Sequence, residues 1–325
     1  MKKQLATLIS LLSISTSSFA MPFLDEKLPF LDNIHRIDGD GYSIGENIPY
    51  LAEAYKNDVI DGNMIYYSID QQRALREWLD KERPERFVLV DLSSYKMYLI
   101  LSLYGSVKAE NLFIEMETPI VIGSRYHKTP STSMNIISLK YNPTWTPTLN
   151  IMKRNAKKGD GEWNWDWINS HGFEVFSHKT GEKITWEEAD DMLLREVFMV
   201  SPPSNDNALG RLKFETDSKQ SIYFHDTNEK SFFEQNNRAR SSGCVRVKDP
   251  YSFAAKLAYK SEEYIESNVN KGKTYWEKIE NTPVYFYYDI IEYKVGGEDI
   301  ANITDDPYGY YNNYLKEQHE NYVIE

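Results

Sequence analysis

Two nearby stretches of the chain indicate both its fold and its chemistry: SIYFHDT at residues 221–227 and RARSSGCVRV at residues 238–247. The first is a short, mostly apolar run that ends at His225, as is typical of a strand. In the second, Cys244 follows Ser-Ser-Gly and precedes another short strand. The two stretches therefore predict an imidazole and a thiol at the ends of strands.

Cys244 and His225 are the predicted catalytic residues. A thiol becomes a strong nucleophile when it loses its proton, and a nearby imidazole can take that proton and stabilise the thiolate. The histidine precedes the cysteine by 19 positions, whereas the cysteine comes first in papain-like enzymes. This order disfavours a papain-type peptidase.

The residues around Cys244 suggest how an attacked carbonyl would be held. Gly243 has no side chain, so the backbone amides of Gly243 and Cys244 are predicted to form an oxyanion hole. Ser241 and Ser242 precede them and are predicted to orient the same turn. Arg246 lies two positions beyond the cysteine and therefore shares its strand face. Its guanidinium is predicted to bind a substrate carboxylate through two hydrogen bonds.

Three further residues are candidates for substrate binding. Tyr223 lies two positions before His225 and is predicted to share its strand face. It would line the groove, with packing in the core as the alternative. Arg240 would bind a carboxylate or simply face solvent. Asp226 directly follows the histidine and completes the group of predicted substrate contacts.

The flanking sequence predicts a β-rich, mixed α+β fold. A helix is expected near residues 70–82, where Leu75, Trp78 and Leu79 have helical spacing, and Pro84 ends it. Beyond it, short apolar runs separated by turns predict a β-sandwich or open barrel. Residues 150–200 differ, because basic residues and tryptophans cluster there and Thr185 with Glu188 forms a capping box. They predict a helical insert that serves as a lid or substrate platform, or that only packs.

The N-terminus predicts export. Two lysines precede a short apolar run, and Ser18-Phe19-Ala20 offers small residues at a cleavage site. We therefore divide the chain into a signal peptide (1–20), an N-terminal region (21–84), a catalytic domain (85–304, with the insert at 150–200) and a C-terminal tail (305–325). The tail is expected to be a surface wrap or partly disordered. The predicted location is the periplasm, without stable membrane insertion.

Charge and cysteine content narrow the function further. The net charge is −12, and removal of two lysines with the signal peptide makes it −14. Such an acidic chain disfavours a nucleic-acid partner, since phosphate binding requires a basic surface. Cys244 is the only cysteine, so it cannot form an intramolecular disulfide. In an exported protein a lone cysteine shifts the balance from an inert, buried thiol toward a reactive one, and by itself leaves both interpretations open.

The histidine and the later Ser-Ser-Gly-Cys-Val-Arg segment resemble the L,D-transpeptidase catalytic (YkuD) family. Ser242 stands where the usual motif has a histidine, a departure typical of the large Gram-negative branch, which carries an insert over the active site. Other segments resemble that branch in the same order: 87–95, 119–123, 142–145 and 207–214. The similarity covers roughly residues 70–310.

The resemblance implies a specific reaction. The donor would be a peptidoglycan stem tetrapeptide, whose diaminopimelate carbonyl is attacked by the Cys244 thiolate while D-Ala leaves. The amine of a second stem would resolve the thioester and form a 3–3 cross-link. No metal or cofactor is implied, and carbapenem-type inhibitors would acylate the cysteine.

Other outcomes stay open at this level. Water would resolve the same thioester in an L,D-carboxypeptidase or a cross-link hydrolase, and a lipoprotein lysine is another possible acceptor. A sortase-like transpeptidase also places His before Cys, but its arginine lies further beyond the cysteine. A wall-binding protein without catalysis is the alternative from a different functional class, and the intact pair of His225 and Cys244 disfavours it.

Overall fold

A computed structural model describes residues 60–102, 112–293 and 300–323. The predicted signal peptide and most of the N-terminal region lie outside the described residues. The helices and strands, in chain order, are α1 (Gly62–Glu82), β1 (Arg86–Asp91), β2 (Lys96–Ser102), β3 (Leu112–Gly123), β4 (Ser133–Tyr141), α2 (Leu149–Asn155), α3 (Trp165–Ser170), β5 (Glu174–Ser177), β6 (Lys183–Ile184), α4 (Trp186–Asp190), β7 (Val197–Val200), β8 (Leu212–Thr216), β9 (Phe224–His225), a 3-10 helix (Lys230–Glu234), β10 (Ala239–Ser241), β11 (Val245–Val247), α5 (Pro250–Ala258), α6 (Glu262–Asn270), β12 (Tyr275–Tyr287), β13 (Ile291–Tyr293), β14 (Ile300–Ile303) and α7 (Tyr310–Val323). None of the helices within these ranges combines the length and the apolar character needed to cross a bilayer. The β-rich α+β fold class is confirmed.

The described residues divide into two compact units. One unit comprises the described parts of Met1–Glu117 and Pro283–Glu325, together with Pro130–Ser133. The other comprises Thr118–Thr129 and Met134–Thr282. The predicted catalytic residues both belong to the second unit.

In the first unit, α1 packs on a small sheet. β1 pairs antiparallel with β2 and parallel with the end of β12, where Val88 faces Val284. Leu75 and Leu79 of the helix pack against Phe87 of β1 in a shared apolar cluster. This packing explains the helical spacing that the sequence displays.

Helix α1 begins earlier than the predicted segment 70–82. The side chain of Asp61 accepts a hydrogen bond from the amide of Met64 at 2.9 Å and caps the first turn. The Asp-Gly pair at 61–62, a combination typical of turns, is here an N-cap followed by the first helical residue. At the other end, Arg83 adopts a left-handed conformation just before Pro84, so the predicted stop is correct.

Of the two expectations for the C-terminal tail, the described part agrees with a surface wrap and not with partial disorder. Residues 310–323 form α7, and Tyr308 before it is only 1% exposed. The ring of Tyr311 lies edge-on to that of Tyr67, 5.5 Å between centroids, and its hydroxyl donates to Asp61 at 3.1 Å. Tyr311 and Tyr314 therefore pack their rings against Tyr67 of α1, and the hydroxyl of Tyr311 still finds an acceptor.

A buried carboxylate in this unit links stability to pH. Asp289 accepts hydrogen bonds from the hydroxyls of Ser68 and Tyr287, at 2.6 and 2.7 Å, and from the amide of Ile291 at 3.0 Å. Burial outweighs these bonds and raises the pKa of Asp289 from 3.8 to about 6. The folded state therefore holds this proton more tightly than the unfolded state does.

We expect the contribution of Asp289 to stability to be greatest below its unfolded pKa and to decline as the pH rises through its folded pKa. The shift from 3.8 to about 6 corresponds to at most about 3 kcal/mol. Urea unfolding of the native protein and of Asp289→Asn, compared from about pH 4 to about pH 6.5, measures this difference. The asparagine variant should gain stability relative to the native protein over that interval. A difference that does not change with pH would contradict the assignment.

The second unit is built on a sheet with strand order β10-β3-β11-β9-β8-β4-β12. The short strand β9 lies in its middle, parallel to β11 and antiparallel to β8. Arg246 of β11 and Lys213 of β8 are the register partners of His225 on either side. The central position of β9 explains why the histidine is buried although its strand has only two residues.

The insert predicted to be helical is a mixed subdomain. Besides α2, α3 and α4 it contains a three-stranded antiparallel sheet of order β6-β5-β7. Its apolar core includes Met152, Trp163, Ile168 and Met199. The predicted capping box is confirmed, and the helix α4 that it begins is short and ends at Asp190. Strands of two to four residues show too little alternation for sequence patterns to detect them.

Candidate active site

The turn before Cys244 is held by its own serine. Ser241, which is buried, accepts a hydrogen bond from the amide of Gly243 at 3.1 Å and donates one to the carbonyl of Cys244 at 2.6 Å. Gly243 has φ +121°, a region that residues with a side chain rarely adopt. Ser241 and Gly243 therefore shape the turn that presents the thiol, in agreement with an orienting role for the serine.

The predicted oxyanion hole is only partly available. The amide of Gly243 is already bonded to Ser241, so it does not face an attacked carbonyl in this conformation. Within the described residues the amide of Cys244 has no hydrogen-bond partner. The prediction for Gly243 is thus wrong for this conformation, because the serine satisfies its amide first, while the cysteine amide remains suitable.

A second clamp on the turn comes from Thr129, which the sequence analysis missed. Its hydroxyl donates to the carbonyl of Gly243 at 2.7 Å and accepts from the amide of Gly123 at 2.9 Å, and its side chain is fully buried. Gly123 must be glycine, since a Cβ there would lie 2.0 Å from the carbonyl oxygen of His127. The loop 123–129 thus folds tightly back and places one hydroxyl against the nucleophile turn.

We expect Thr129→Val to weaken both stability and activity. Valine has nearly the same shape but removes both hydrogen bonds, each of which is worth about 1–3 kcal/mol when the group left behind is buried. The carbonyl of Gly243 would lose its hydroxyl partner, and the turn could rotate. Thermal unfolding and the rate of alkylation of Cys244 by iodoacetamide measure the two effects.

Thr129→Ser is the matched control for that experiment. It keeps the hydroxyl and should retain most of the alkylation rate, whereas the valine variant should lose about tenfold. Equal rates for the serine and valine variants would show that the hydroxyl does not position the turn.

His225 ends β9 and is 5% exposed. Its Nδ1 contacts the carbonyl oxygen of Asp226. A carbonyl only accepts, so Nδ1 is assigned the proton and Nε2 carries the basic lone pair. The imidazole is therefore oriented by backbone and not by a carboxylate.

The electrostatics favour a neutral resting pair. Burial, with the positive charges of Arg246 and Lys213, lowers the pKa of His225 to about 3. Burial also raises the pKa of the Cys244 thiol. No hydrogen bond joins the two side chains in the part of the chain that the structure describes. The site thus holds an uncharged imidazole at the end of β9 and an uncharged thiol in the turn directly before the adjacent strand β11.

Tyr223 lies beside both groups. Its ring centroid is 5.7 Å from that of His225, and hydrogen bonding from Tyr223 opposes the effect of burial on the pKa of Cys244. Burial and the neighbouring cysteine raise the pKa of Tyr223 itself, so the phenol stays a donor. Lys213 lies 3.9 Å above the ring and pairs with Glu215 at 2.8 Å. Of the two roles considered for Tyr223, contact with the site agrees better with this placement.

The two arginines predicted to bind carboxylates differ in their surroundings. Arg246 forms an ion pair with Glu229 and lies 5.4 Å from the ring of Phe232. Its charge is therefore already balanced within the protein. Arg240 is exposed and donates to the backbone carbonyl of Asn237 at 3.2 Å. Of the two predictions for Arg240, carboxylate binding or a solvent-facing side chain, the structure agrees with the second.

Asp226 does not line the site as predicted. It is 4% exposed, and its carboxylate accepts from the amides of Arg211 and Thr227 at 2.9 and 2.7 Å and pairs with Lys230. Only its backbone carbonyl reaches His225. Burial against three donors makes Asp226 a support for the histidine and not a contact for substrate.

Ser242 connects the nucleophile turn to the insert. Its side chain is exposed, and its hydroxyl accepts from the guanidinium of Arg154 on α2 at 3.1 Å. The same guanidinium contacts the imidazole of His127. Ser242 is therefore hydrogen-bonded to an arginine from outside the turn. Through this bond the insert contacts the nucleophile turn two positions before Cys244.

The sequence profile of the L,D-transpeptidase catalytic domain (YkuD) matches residues 85–285. The chain belongs to this family. The match contains β9, the nucleophile turn and the whole insert, so every residue of the candidate site lies inside it.

Several proteins to which the chain is similar carry the same family name. A curated protein of Haemophilus influenzae described as a putative L,D-transpeptidase is 27% identical over 207 residues, which are 60% of this chain and 40% of that protein. The chain thus spans well under half of that relative. An L,D-transpeptidase structure from Mycobacterium smegmatis is 10% identical. The match covers 62% of this chain and 58% of that chain, with a TM-score of 0.29. A second structure, described as an L,D-transpeptidase in complex with imipenem, is 11% identical. The match covers 62% of this chain and 59% of that chain, again with a TM-score of 0.29. These scores are low, and the family assignment rests on the sequence profile.

Proposed function

We propose that this L,D-transpeptidase family member forms 3–3 cross-links in peptidoglycan through a thioester on Cys244. The observation that carries the proposal is the arrangement around that thiol. A glycine turn clamped by two hydroxyls holds it next to Tyr223, whose ring lies 5.7 Å from the ring of a strand-ending histidine with a free lone pair on Nε2. A preorganised thiol next to an uncharged imidazole is suited to acyl transfer.

In the first half-reaction, the sulfur attacks the diaminopimelate carbonyl of a donor tetrapeptide while His225 Nε2 takes the thiol proton. The amide of Cys244 stabilises the developing oxyanion. The C–N bond to D-Ala then breaks, and His225 returns the proton to the leaving amine. Catalytic hydrogen bonds often form only in the substrate complex, which accounts for the separate side chains seen here.

In the second half-reaction, the side-chain amine of an acceptor stem attacks the thioester carbonyl. His225 accepts a proton from that amine, the C–S bond breaks, and the sulfur leaves as a thiolate that is reprotonated. No step requires a metal or a redox cofactor. Carbapenem-type compounds would take the place of the donor peptide in the first half-reaction and acylate Cys244, because they present a strained carbonyl to the same thiol.

The proposed place of action is the periplasm. The basic start, the short apolar run and the small residues at 18–20 have the pattern of a cleaved signal peptide. Peptidoglycan is assembled outside the cytoplasmic membrane, so export would bring the enzyme to its substrate. N-terminal sequencing of the protein recovered from a periplasmic extract tests this; a chain that begins at residue 21 is expected.

Purified tetrapeptide muropeptides test the reaction. Incubation with the mature protein should yield a dimer whose mass is that of two tetrapeptide units less one D-Ala, detected by mass spectrometry. A tripeptide monomer alone would mean that water resolves the thioester and that the protein is an L,D-carboxypeptidase. Absence of both products, together with no mass adduct from a carbapenem, would contradict acyl transfer at Cys244.

A further inference from the structure

Arg154 differs from three other cations around the site. Lys213, Lys230 and Arg246 each pair with a carboxylate. Arg154 is exposed on α2, and in the described part of the chain it forms no ion pair. Its contacts are the hydroxyl of Ser242 and the imidazole of His127, both of which carry no negative charge. The nucleophile turn of an acidic protein is therefore faced by an arginine whose charge is not balanced.

The two contacts hold the guanidinium in place and leave donors unused. A guanidinium has five N–H donors in a rigid fork. One nitrogen faces His127 and another donates to Ser242 at 3.1 Å, so the group is oriented without being neutralised. A carboxylate is the ligand that such a fork binds most strongly, through two parallel hydrogen bonds.

We propose that Arg154 binds a carboxylate of the donor peptide next to the scissile carbonyl, and that it makes the site prefer a free acid to the corresponding amide. The identity of that peptide as a stem tetrapeptide rests on the proposed function. The binding of an anion beside Cys244 does not depend on the proposed function. Arg154 acts as a specificity-determining residue supplied by the insert, and the insert contributes directly to the site.

The single cysteine allows a test that is independent of peptidoglycan. Iodoacetate and iodoacetamide both alkylate a thiol with loss of iodide, and they differ by one negative charge. We expect Arg154→Met to lower the ratio of the iodoacetate rate to the iodoacetamide rate by about tenfold at low salt, the scale of one charge-assisted hydrogen bond. Mass spectrometry of the intact protein measures both rates.

Lys153→Met is the matched control, because Lys153 is the neighbouring exposed cation on the same helix. It removes the same charge and should change the ratio by less than about twofold, since an exposed charge outside the site is screened. Arg154→Lys keeps the charge without the fork and should give an intermediate ratio. A ratio that Arg154→Met leaves unchanged, or that Lys153→Met lowers equally, would overturn the proposal.

A second measurement separates this inference from the proposed function. Native protein and Arg154→Met are compared on a tetrapeptide donor and on the same donor with its diaminopimelate and terminal carboxylates amidated. Loss of about tenfold in kcat/KM on the free acid, with little loss on the amide, supports the proposal. Equal loss on both would make Arg154 a support for the turn and overturn it. If no donor is turned over while the alkylation ratio still depends on Arg154, the proposed function fails and anion binding by Arg154 stands.

Discussion

Cys244→Ser is expected to reduce cross-link formation by at least about a thousandfold. Serine keeps the geometry, but its hydroxyl is far less acidic than a thiol. The partner base is weak, because burial lowers the pKa of His225 to about 3. A base of that strength can assist a thiol attack on a bound carbonyl, but it cannot generate a useful alkoxide. Dimer formation from tetrapeptides, followed by mass spectrometry, measures the loss.

The fold should survive this substitution, so the loss can be assigned to chemistry. Cys244 is only partly buried, and the sulfur's contact with the carbonyl of Ser221 is long, at 3.8 Å. The melting temperature should therefore change little. A serine variant that keeps more than about a tenth of the native rate would exclude the thioester mechanism.

His225→Gln is expected to lower kcat/KM by about 10²–10⁴-fold, the usual contribution of a general base. Glutamine has a similar size and can still donate to the carbonyl of Asp226, but it cannot accept the thiol proton. His178→Gln is the matched control, since that imidazole lies in the insert against Phe198, 4.9 Å between ring centroids. It should keep nearly full activity. Comparable losses in the two variants would argue against a specific role for His225.

The pH profile adds an independent test of the same residue. A histidine with its ordinary pKa would lose activity below about pH 6.5, as the base becomes protonated. Because burial lowers the pKa of His225 to about 3, the neutral base persists well below that value. The kcat/KM of the native protein should therefore stay level between about pH 5 and about pH 7. A tenfold fall per pH unit below about pH 6.5 would contradict the lowered pKa.

Local patterns predicted the elements that local forces form. The capping box of Thr185 and Glu188 was visible because both partners lie within one helical turn. The strand ending at His225 and the turn before Cys244 were visible for the same reason. Predictions failed or stayed open where distant packing decided the outcome, as with the short strands of the insert and the helix formed by the C-terminal tail.

The amino-acid sequence by itself determined the family, the order of histidine and cysteine, and the serine-glycine turn that presents the thiol. All of these depend on residues close together in the chain. Only the tertiary structure decided which other groups meet at that turn. Thr129 reaches Gly243 across 114 positions, and Arg154 reaches Ser242 across 88. Contacts at such separations follow from how strands and loops pack. The same packing removes water from His225 and in part from Cys244, and this desolvation, which no motif encodes, is the main reason why the pKa of His225 is lowered and that of Cys244 is raised.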